Sequence, residues 1–196
     1  MIKKIKQTFK EFLTTKIVYK TPGTPGFNIV KPKEDELITE KEQELYRSGV
    51  GSLLYLVKHS RPDLANIVRE LAKCMNGATQ GAFKELIRVI KFVTATSDYG
   101  LRIKPHMVTD TMWDLRVYTD GDWAGDKENR HSASGFIIYL LYVPIFWKSK
   151  LQCTVALSST EAEYYALSKA AKEIKFMVQV DDITWYATSI SNNCEG

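Results

Sequence analysis

The chain has 196 residues, of which 44% are hydrophobic and 26% are charged, with a formal net charge of +4. This length and composition are those of a globular protein with one sizeable core or two small ones, and they exclude a disordered polymer. The mild excess of positive charge is compatible with a nucleic-acid partner but does not require one.

Three cysteines, Cys74, Cys153 and Cys194, lie far apart in the sequence. Their odd number and the absence of a Cys-x-x-Cys pair argue against a disulfide framework and against a zinc site. No window approaches eighteen consecutive apolar residues, and the lysine-rich start lacks the apolar run of a signal peptide. We therefore expect an intracellular protein, cytoplasmic or nuclear, without a membrane partner and without a small-molecule substrate.

The first twenty residues contain six lysines and one glutamate, with apolar residues near helical spacing. This pattern predicts a basic amphipathic helix. Its apolar stripe either docks on the protein under a solvated basic face, or its lysines contact phosphates or a membrane surface. Residues 21–40 hold three prolines and two glycines, a composition that indicates a linker or a surface-hugging loop.

Apolar residues recur at spacings of three and four in residues 44–57, 63–75 and 80–95, which predicts three helices. Pro62 restricts the residue before it and suits a first helical turn, so the first two helices are expected to meet at a corner there. The sequence therefore predicts a small helical unit within residues 1–105.

Short runs rich in β-forming residues follow at 115–119, 135–142 and 145–157, the last with a polar interruption at 148–152. Because short turns separate them, they predict an antiparallel three-strand meander.

A long helix is expected after the meander. Ser158 stands three residues before Glu161, a capping-box pattern, and the helix should run to about Gln179. Asp181 and Asp182 are expected to break it, and residues 183–190 would supply a further strand. A sheet followed by a covering helix belongs to the α+β class.

Two carboxylates stand out in this scheme. Asp120 ends the first predicted strand and Glu163 lies in the first turns of the long helix. A strand and a helix that bring two carboxylates together suit Mg²⁺, which prefers oxygen ligands and supports phosphodiester cleavage. The alternative is that Asp120-Gly121 forms an ordinary hairpin turn, which this dipeptide favours.

Two further acids are weaker candidates. Asp122 points the same way as Asp120 only if the strand stays extended beyond Gly121. Glu161 has a sufficient role as the capping partner of Ser158.

Hydroxyls and cations near the strands suit contacts with phosphates and 2′-hydroxyls. The candidates for such nucleic-acid contacts are Arg130, Ser132, Ser134, Lys148 and Lys150. The alternative is that these are plain solvated turn residues. Trp123 and Trp147 are expected to pack in the protein rather than stack on bases.

Six motifs occur in a fixed order along the chain. They are YRSGVGSLLYL at 46–56, RPD at 61–63, DYGL at 98–101, YTDGDWAGD at 118–126, RHSASG at 130–135 and VALSSTEAEY at 155–164. From about Lys20 to about Gln179 this order closely resembles the C-terminal part of Ty1/copia-type retrotransposon polyproteins. That part joins the end of a reverse transcriptase to its ribonuclease H domain.

The resemblance implies a ribonuclease H-like mixed sheet, built from the meander, the helix and the further strand, in residues 106–196. It implies cleavage of the RNA strand of an RNA–DNA hybrid with two Mg²⁺ ions and four acidic residues. Matched by position, Asp120 is the strand carboxylate and Glu163 the helix carboxylate, both catalytic and both metal ligands. The implied partners are the hybrid and the reverse transcriptase palm of the parent polyprotein.

The chain departs from this family near its end. The third family carboxylate, an Asp, is matched by Asn192 or Asn193, and the fourth acid has no counterpart. An amide is a poorer Mg²⁺ ligand than a carboxylate, and two cations facing too few anions repel each other. We therefore expect an impaired or inactive nuclease. The alternatives are a nucleic-acid-binding module without catalysis and a non-functional relic of an element.

Overall fold

The computed structural model describes residues 1–14, 17–29, 37–104 and 114–193, with side chains described up to Gln179 in the last helix. Its helices are α1 (Ile2–Thr8), α2 (Glu40–His59), α3 (Ala65–Ala72), α4 (Gln80–Ala95) and α5 (Ser159–Asn193), with short 3-10 turns at Lys10–Leu13 and Pro62–Leu64. Its strands are β1 (Leu115–Asp122), β2 (Ala133–Leu140) and β3 (Val143–Leu151). The α+β class predicted from the sequence is confirmed.

The first half forms the helical unit that the periodicity predicts. Thr39 and Glu42 cap α2 reciprocally, and the corner at Pro62 separates α2 from α3. The N-terminal helix is shorter than predicted, but its apolar stripe docks on the unit, since Ile5 and Phe9 are each 1% exposed. A Cβ on Gly49 would lie 2.8 Å from the Phe9 ring, so the close approach of α2 to this segment requires glycine.

Arg61 is buried in the helical unit and binds several of its residues. Its guanidinium donates to both carboxylate oxygens of Asp63, at 3.0 and 2.8 Å, and to the Thr96 carbonyl at 3.1 Å. The same group lies 5.6 Å from the ring centroid of Phe92 and 5.7 Å from that of Tyr99. The RPD and DYGL motifs therefore meet at one buried cation, which explains both as structural elements.

Residues 17–29 follow the surface of the helical unit. Thr24 donates to the Glu85 carboxylate from its main-chain N–H, at 2.6 Å, and from its hydroxyl, at 2.9 Å. Gly23 lies directly against Ile67. The described part of the proline-rich segment is thus the surface-hugging loop of the two predicted alternatives, and residues 30–36 lie outside the described residues.

The three strands form an antiparallel meander in the order β1-β2-β3, as predicted. The third run differs from the prediction in its bounds, since β3 spans Val143–Leu151 and stays paired with β2 through the polar residues up to Leu151. Leu141 and Tyr142 form the β2–β3 turn with φ values of 49° and 67°. Two consecutive positive φ values are typical of a type I′ turn, whose twist matches that of the flanking strands.

β1 lies at one side of this sheet. Within the described residues it pairs with β2 alone, so its other edge carries main-chain groups that are not engaged in a ladder. Edge strands of this kind offer N–H and C=O groups to a further strand.

α5 covers one face of the sheet. Ala162, Ala166 and Ala170 are each 0% exposed, and Ala170 packs with Phe136 and Ile138 of β2. Small side chains let the helix approach the strands closely.

Two predictions about the end of the chain are wrong. α5 continues to Asn193 instead of ending near Gln179, and no further strand follows it within the described residues. The predicted mixed sheet is therefore purely antiparallel in this part of the chain. The segment from Ser159 to Asn193 contains neither Gly nor Pro, and two Asp residues cost too little helix propensity to stop it.

The helical unit and the sheet are joined by direct hydrogen bonds and an ion pair. Lys73 Nζ lies 2.8 Å from Asp126 Oδ2, and Trp147 Nε1 donates to the Val57 carbonyl at 2.6 Å. Trp147 is therefore engaged in packing, as predicted. Among the described residues no helix has the length and apolar character needed to cross a membrane.

Candidate functional site

Asp120 and Asp122 line a cleft between the sheet and the helical unit. β1 stays extended to Asp122, so strand alternation points both carboxylates to the same face. The opposite wall of this cleft of about 230 Å³, which we call the aspartate cleft, is formed by Asp63, Asn66 and Arg69. Both aspartates are exposed, so the cleft is open to solvent.

The hairpin-turn alternative for Asp120-Gly121 is wrong. Asp120 pairs with Gly135 and Gly121 with Ser134, so both lie inside the β1–β2 ladder. The connection between the strands comes later, after Asp122.

Gly121 brings β1 against the beginning of α5. A Cβ built on Gly121 would lie 2.8 Å from the Ala162 carbonyl carbon and 2.9 Å from the Glu163 nitrogen. Because a side chain cannot occupy that space, only glycine allows the strand to touch the peptide bond that joins these two residues. Asp120 directly precedes Gly121, and Glu163 supplies the nitrogen of the peptide bond that Gly121 contacts. The main chains of the two acids therefore lie next to the same backbone contact.

Glu163 is exposed in the first turns of α5. It is not among the side chains that line the aspartate cleft in the described part of the chain. By strand alternation Gly121 faces α5, whereas Asp120 and Asp122 face away from it. Asp120 therefore projects from the face of the sheet opposite to the one that α5, the helix of Glu163, covers.

Glu161 has the capping role predicted for it. Its main-chain N–H donates to Ser158 Oγ at 3.1 Å, and its carboxylate accepts from the Leu157 N–H at 2.7 Å. These bonds satisfy main-chain donors at the start of α5.

The connection between β1 and β2 is built around a buried carboxylate. Asp126 is 5% exposed, and its Oδ1 accepts from the main-chain N–H groups of Glu128 and Asn129. Burial opposes ionisation of this group, but the Lys73 ammonium and these N–H donors outweigh it and hold the pKa of Asp126 below its usual range. Asp126 is therefore a negatively charged anchor for the helical unit.

Ser132 and Ser134 are internal groups in this structure. Ser132 is 0% exposed, and its hydroxyl accepts from the Ala124 N–H at 3.0 Å. Ser134 is 6% exposed, and its hydroxyl accepts from Gln152 Nε2 at 2.9 Å. Their burial corrects the prediction that both hydroxyls lie on a surface for nucleic acid, although Ser134 still borders a second cleft.

Arg130, Lys148 and Lys150 are exposed. Arg130 adopts a φ of 59° in the connection after β1. Lys148 and Lys150 point from β3 towards α5 and border the second cleft, away from the helical unit. These three cations therefore occupy two separate places in the described structure.

Comparison with known proteins identifies the origin of the chain. It is 39% identical over 132 residues to the retrovirus-related Pol polyprotein from transposon RE2 of Arabidopsis thaliana, which covers 67% of this chain. It is 35% identical over 129 residues, 66% of this chain, to the Pol polyprotein from transposon TNT 1-94 of Nicotiana tabacum. The chain belongs to the Pol polyproteins of copia-type retrotransposons. It spans 9% of the length of each of these two polyproteins.

A third relative is much shorter than these two polyproteins. The secreted RxLR effector protein 161 of Plasmopara viticola is 41% identical over 128 residues, which cover 65% of this chain and 87% of that protein. No protein-family model matches the chain, and no solved structure matches it.

Asn192 is not brought near the other candidate residues of this copia-type chain. Its main chain lies in the last turn of α5, twenty-nine residues after Glu163. At a rise of about 1.5 Å per residue the two positions are about 44 Å apart along the helix axis. Its side chain lies outside the described residues.

Sequence reasoning missed the wall that the helical unit contributes. Asp63, Asn66 and Arg69 face the two aspartates of β1 across the cleft. The RPD motif contains Asp63, one residue of this wall. The sequence pattern nevertheless gave no indication that α3 lies over the sheet.

Carboxylate oxygens are the ligands that Mg²⁺ prefers, so the donors beside Gly121 suit this cation in chemical type. In the part of the chain that the structure describes, however, no group of three or more His, Cys, Asp and Glu side chains is arranged to hold a metal ion. The donor set is therefore too small for two ions.

Proposed function

We propose that this chain is a ribonuclease H-like piece of a copia-type polyprotein with impaired hydrolytic activity towards the RNA strand of an RNA–DNA hybrid. The observation that carries the proposal is the contact of Gly121 with the Ala162–Glu163 peptide. The acids next to this contact in the chain are Asp120 and Asp122 on β1 and Glu163 on α5, and all three are exposed.

The proposed site lies beside Gly121 at the open edge of β1. Asp120 would reach it from the aspartate cleft and Glu163 from the start of α5. β1 is the last strand on this side of the described sheet, so the proposed site is open at that edge. Asp122 lines the same cleft as Asp120.

A single Mg²⁺ is the occupant that these oxygen donors suit in chemical type. When bound, it would lower the pKa of a water and stabilise charge on the leaving 3′-oxygen. Asp120 and Glu163 would hold it, and the exposed position of both leaves room for a duplex at the surface. The aspartate cleft, at about 230 Å³, is smaller than a usual small-molecule pocket. A duplex must therefore lie across its mouth.

The experiment is Mg²⁺-dependent cleavage of an end-labelled RNA–DNA hybrid. Asp120→Asn and Glu163→Gln keep the shape of each side chain and remove its charge, and each should lower cleavage by about 100-fold or more. Glu161→Gln is the matched control, because a glutamine retains the capping bond and lies in the same helical turn. Equal cleavage by the wild type and Asp120→Asn would refute the site.

A nucleic-acid-binding module without catalysis is the second candidate. It is favoured by the absence, among the described residues, of a group of three metal-binding side chains. This candidate predicts salt-dependent binding of the hybrid by a chain that does not cleave it. A chain that neither binds the hybrid nor shows a cooperative thermal transition would instead be a non-functional relic.

A further inference from the structure

α5 carries apolar residues on two opposite faces. Ala162, Ala166 and Ala170 face the sheet and are fully buried. Tyr164 follows Ala162 by two positions, which is a rotation of about 200° around the helix axis, so it points away from the sheet. A surface helix of a globular protein typically has one apolar stripe, whereas a helix that is apolar on two faces is covered on both.

The apolar residues on the outer face of α5 form a regular stripe. They recur at spacings of three, four and seven, and the exposed ones are Tyr164, Leu167, Ala171 and Val178. With the half-buried Ile174 they fill five consecutive a and d positions of a heptad pattern. We call the four exposed residues the outer stripe. Tyr164 is 68% exposed and Leu167 is 52% exposed, so the outer stripe presents a large apolar surface to solvent.

The outer stripe is complementary to a second copy of itself that runs in the opposite direction. When the two-fold axis lies midway between Leu167 and Ala171, Leu167 of each copy faces Ala171 of the other. Tyr164 of each copy then faces Ile174 of the other. A large side chain therefore meets a small one at the centre of the contact, which lets the two helices approach closely.

The charges beside the outer stripe favour the same arrangement. Glu161 and Lys175 are exposed and occupy equivalent e positions, three residues before Tyr164 and four residues after Ala171. In the antiparallel pair, Glu161 of each copy lies beside Lys175 of the other, which gives two ion pairs. The capping bond to the Leu157 N–H engages Oε2 of Glu161, and a carboxylate has a second oxygen for the ammonium group.

A parallel pair of the same helices lacks this match. Glu161 and Lys175 are fourteen residues apart, which is about 21 Å along the helix axis. In a parallel pair each would stand opposite its own copy, and like charges would repel each other. The charges therefore select the antiparallel orientation.

We propose that two copies of this chain associate through their outer stripes as an antiparallel helix pair with two-fold symmetry. The same residues contribute on both sides, so the interface is isologous. A contact about 25 Å long is small for a protein interface, and the dimer therefore forms reversibly as the protein concentration rises. No residue of the aspartate cleft takes part, so the inference does not depend on the proposed nuclease function.

Sedimentation velocity of the full chain over a concentration series tests the dimer. Leu167→Glu should raise the dissociation constant by about 100-fold, because each copy would place a carboxylate against Ala171 of the other. The matched control is Phe176→Glu. Phe176 is 63% exposed on the same helix, but it points about 140° away from Ala171, so this variant should associate like the wild type. Circular dichroism checks that both variants keep their helices.

A charge exchange tests the antiparallel orientation. Lys175→Glu should raise the dissociation constant by about tenfold, because two attractive pairs become repulsive. Adding Glu161→Lys to this variant should restore association, since the two charges have then changed places. Thermal unfolding of the double variant shows whether loss of the Glu161 capping bond has affected the fold.

Each outcome decides one part of the proposal. A wild type that stays monomeric up to its solubility limit overturns the dimer. Equal association of Leu167→Glu and the wild type overturns the outer stripe as the interface, and so does an equal loss in Leu167→Glu and Phe176→Glu. A folded double variant that associates no better than Lys175→Glu overturns the antiparallel orientation.

Discussion

Gly121 is the residue of the site at which we expect a substitution to disturb the structure most. Its neighbours Asp120 and Asp122 carry the charges. Their position relative to Glu163 depends on Gly121, because a residue without a side chain lets β1 touch α5. The Ala162–Glu163 peptide occupies the space in which a Cβ would lie, and a peptide in a helix cannot move aside alone.

Gly121→Ala should therefore push the start of α5 away from β1. We expect a loss of about 1–3 kcal/mol in the free energy of unfolding, because overpacked sites relax only by moving the backbone. Hybrid cleavage should fall with it. Chemical denaturation measures the first effect, with Gly135→Ala as control, since a Cβ on that strand glycine meets nothing within 4 Å. Equal stability of the two variants would contradict the close contact.

Asp126 makes the stability of the protein depend on pH. Its pKa is lowered in the folded state, so the stabilisation is complete above the pKa of about 3.9 of an unfolded Asp and is lost as pH falls through the folded pKa. Asp126→Asn removes the Lys73 ion pair and should cost about 1–3 kcal/mol at neutral pH. The difference between wild type and variant should shrink below pH of about 4.

Urea denaturation at a series of pH values checks this prediction. Asp114→Asn is a suitable comparison, because Asp114 is half-buried and pairs with the exposed Arg116 instead of with a residue of the helical unit. If the free energy of unfolding of the wild type and of Asp126→Asn changed in parallel down to the lowest pH measured, the Asp126–Lys73 ion pair would not be the source of the pH dependence.

At the scale of elements, sequence reasoning succeeded where a pattern is local. The periodicity of residues 80–95 gave α4 with its observed bounds, and Ser158 with Glu161 gave the start of α5. These predictions hold because helical spacing and caps are decided by residues within one or two turns of each other.

The errors arose where distant residues decide. β3 was predicted to run from 145 to 157, yet it begins at Val143 and ends at Leu151, because its bounds follow its pairing with β2. The RPD motif was recognised, but the partners of its Arg61, Thr96 and Tyr99, are more than thirty residues away. The aspartate cleft was missed for the same reason, since the 3-10 turn at Pro62–Leu64 and α3 together form one of its walls.

The β2–β3 turn is conformationally unfavourable for its residues. Leu141 and Tyr142 both have positive φ, which costs a residue with a Cβ about 1 kcal/mol, whereas Asn and Gly adopt this geometry readily. Tyr142 is held in place by Arg116, which donates to its hydroxyl at 2.6 Å. The turn can therefore be improved at Leu141 alone.

Leu141→Asn should raise the free energy of unfolding by about 0.5–1 kcal/mol and raise the melting temperature by a few degrees. Thermal unfolding followed by circular dichroism measures it. Leu140→Asn, one residue earlier and inside β2, serves as a control that should destabilise the protein. A lower melting temperature for Leu141→Asn would argue against a type I′ turn at this position.

At the scale of the whole molecule, the helical unit and the sheet share a joint of named contacts. Lys73 pairs with Asp126, Ser149 donates to Asn66 at 2.9 Å, and Trp147 donates to the Val57 carbonyl. Each core by itself is modest, and the core of the sheet is the smaller of the two. We therefore expect the two units to unfold together.

Calorimetry should show one transition for the wild type. Leu86→Ala in the helical unit and Ile138→Ala in β2 each empty a site that is 0% exposed, and each should cost about 2–5 kcal/mol. Both should shift the same transition to lower temperature without splitting it. A second transition that stays at the wild-type temperature in either variant would show that the units are independent.

A second polypeptide that added a strand at the open edge of β1 would lie next to Asp120. Asp120 stands near the end of a strand whose outer main-chain groups are not engaged in a ladder among the described residues. A polypeptide that hydrogen-bonds along this edge would deliver its own side chains within one strand spacing, about 4.8 Å, of the Asp120 main chain. An added strand there would place its own donors beside any cation that Asp120 held, so under the proposed function cleavage would respond to the added polypeptide.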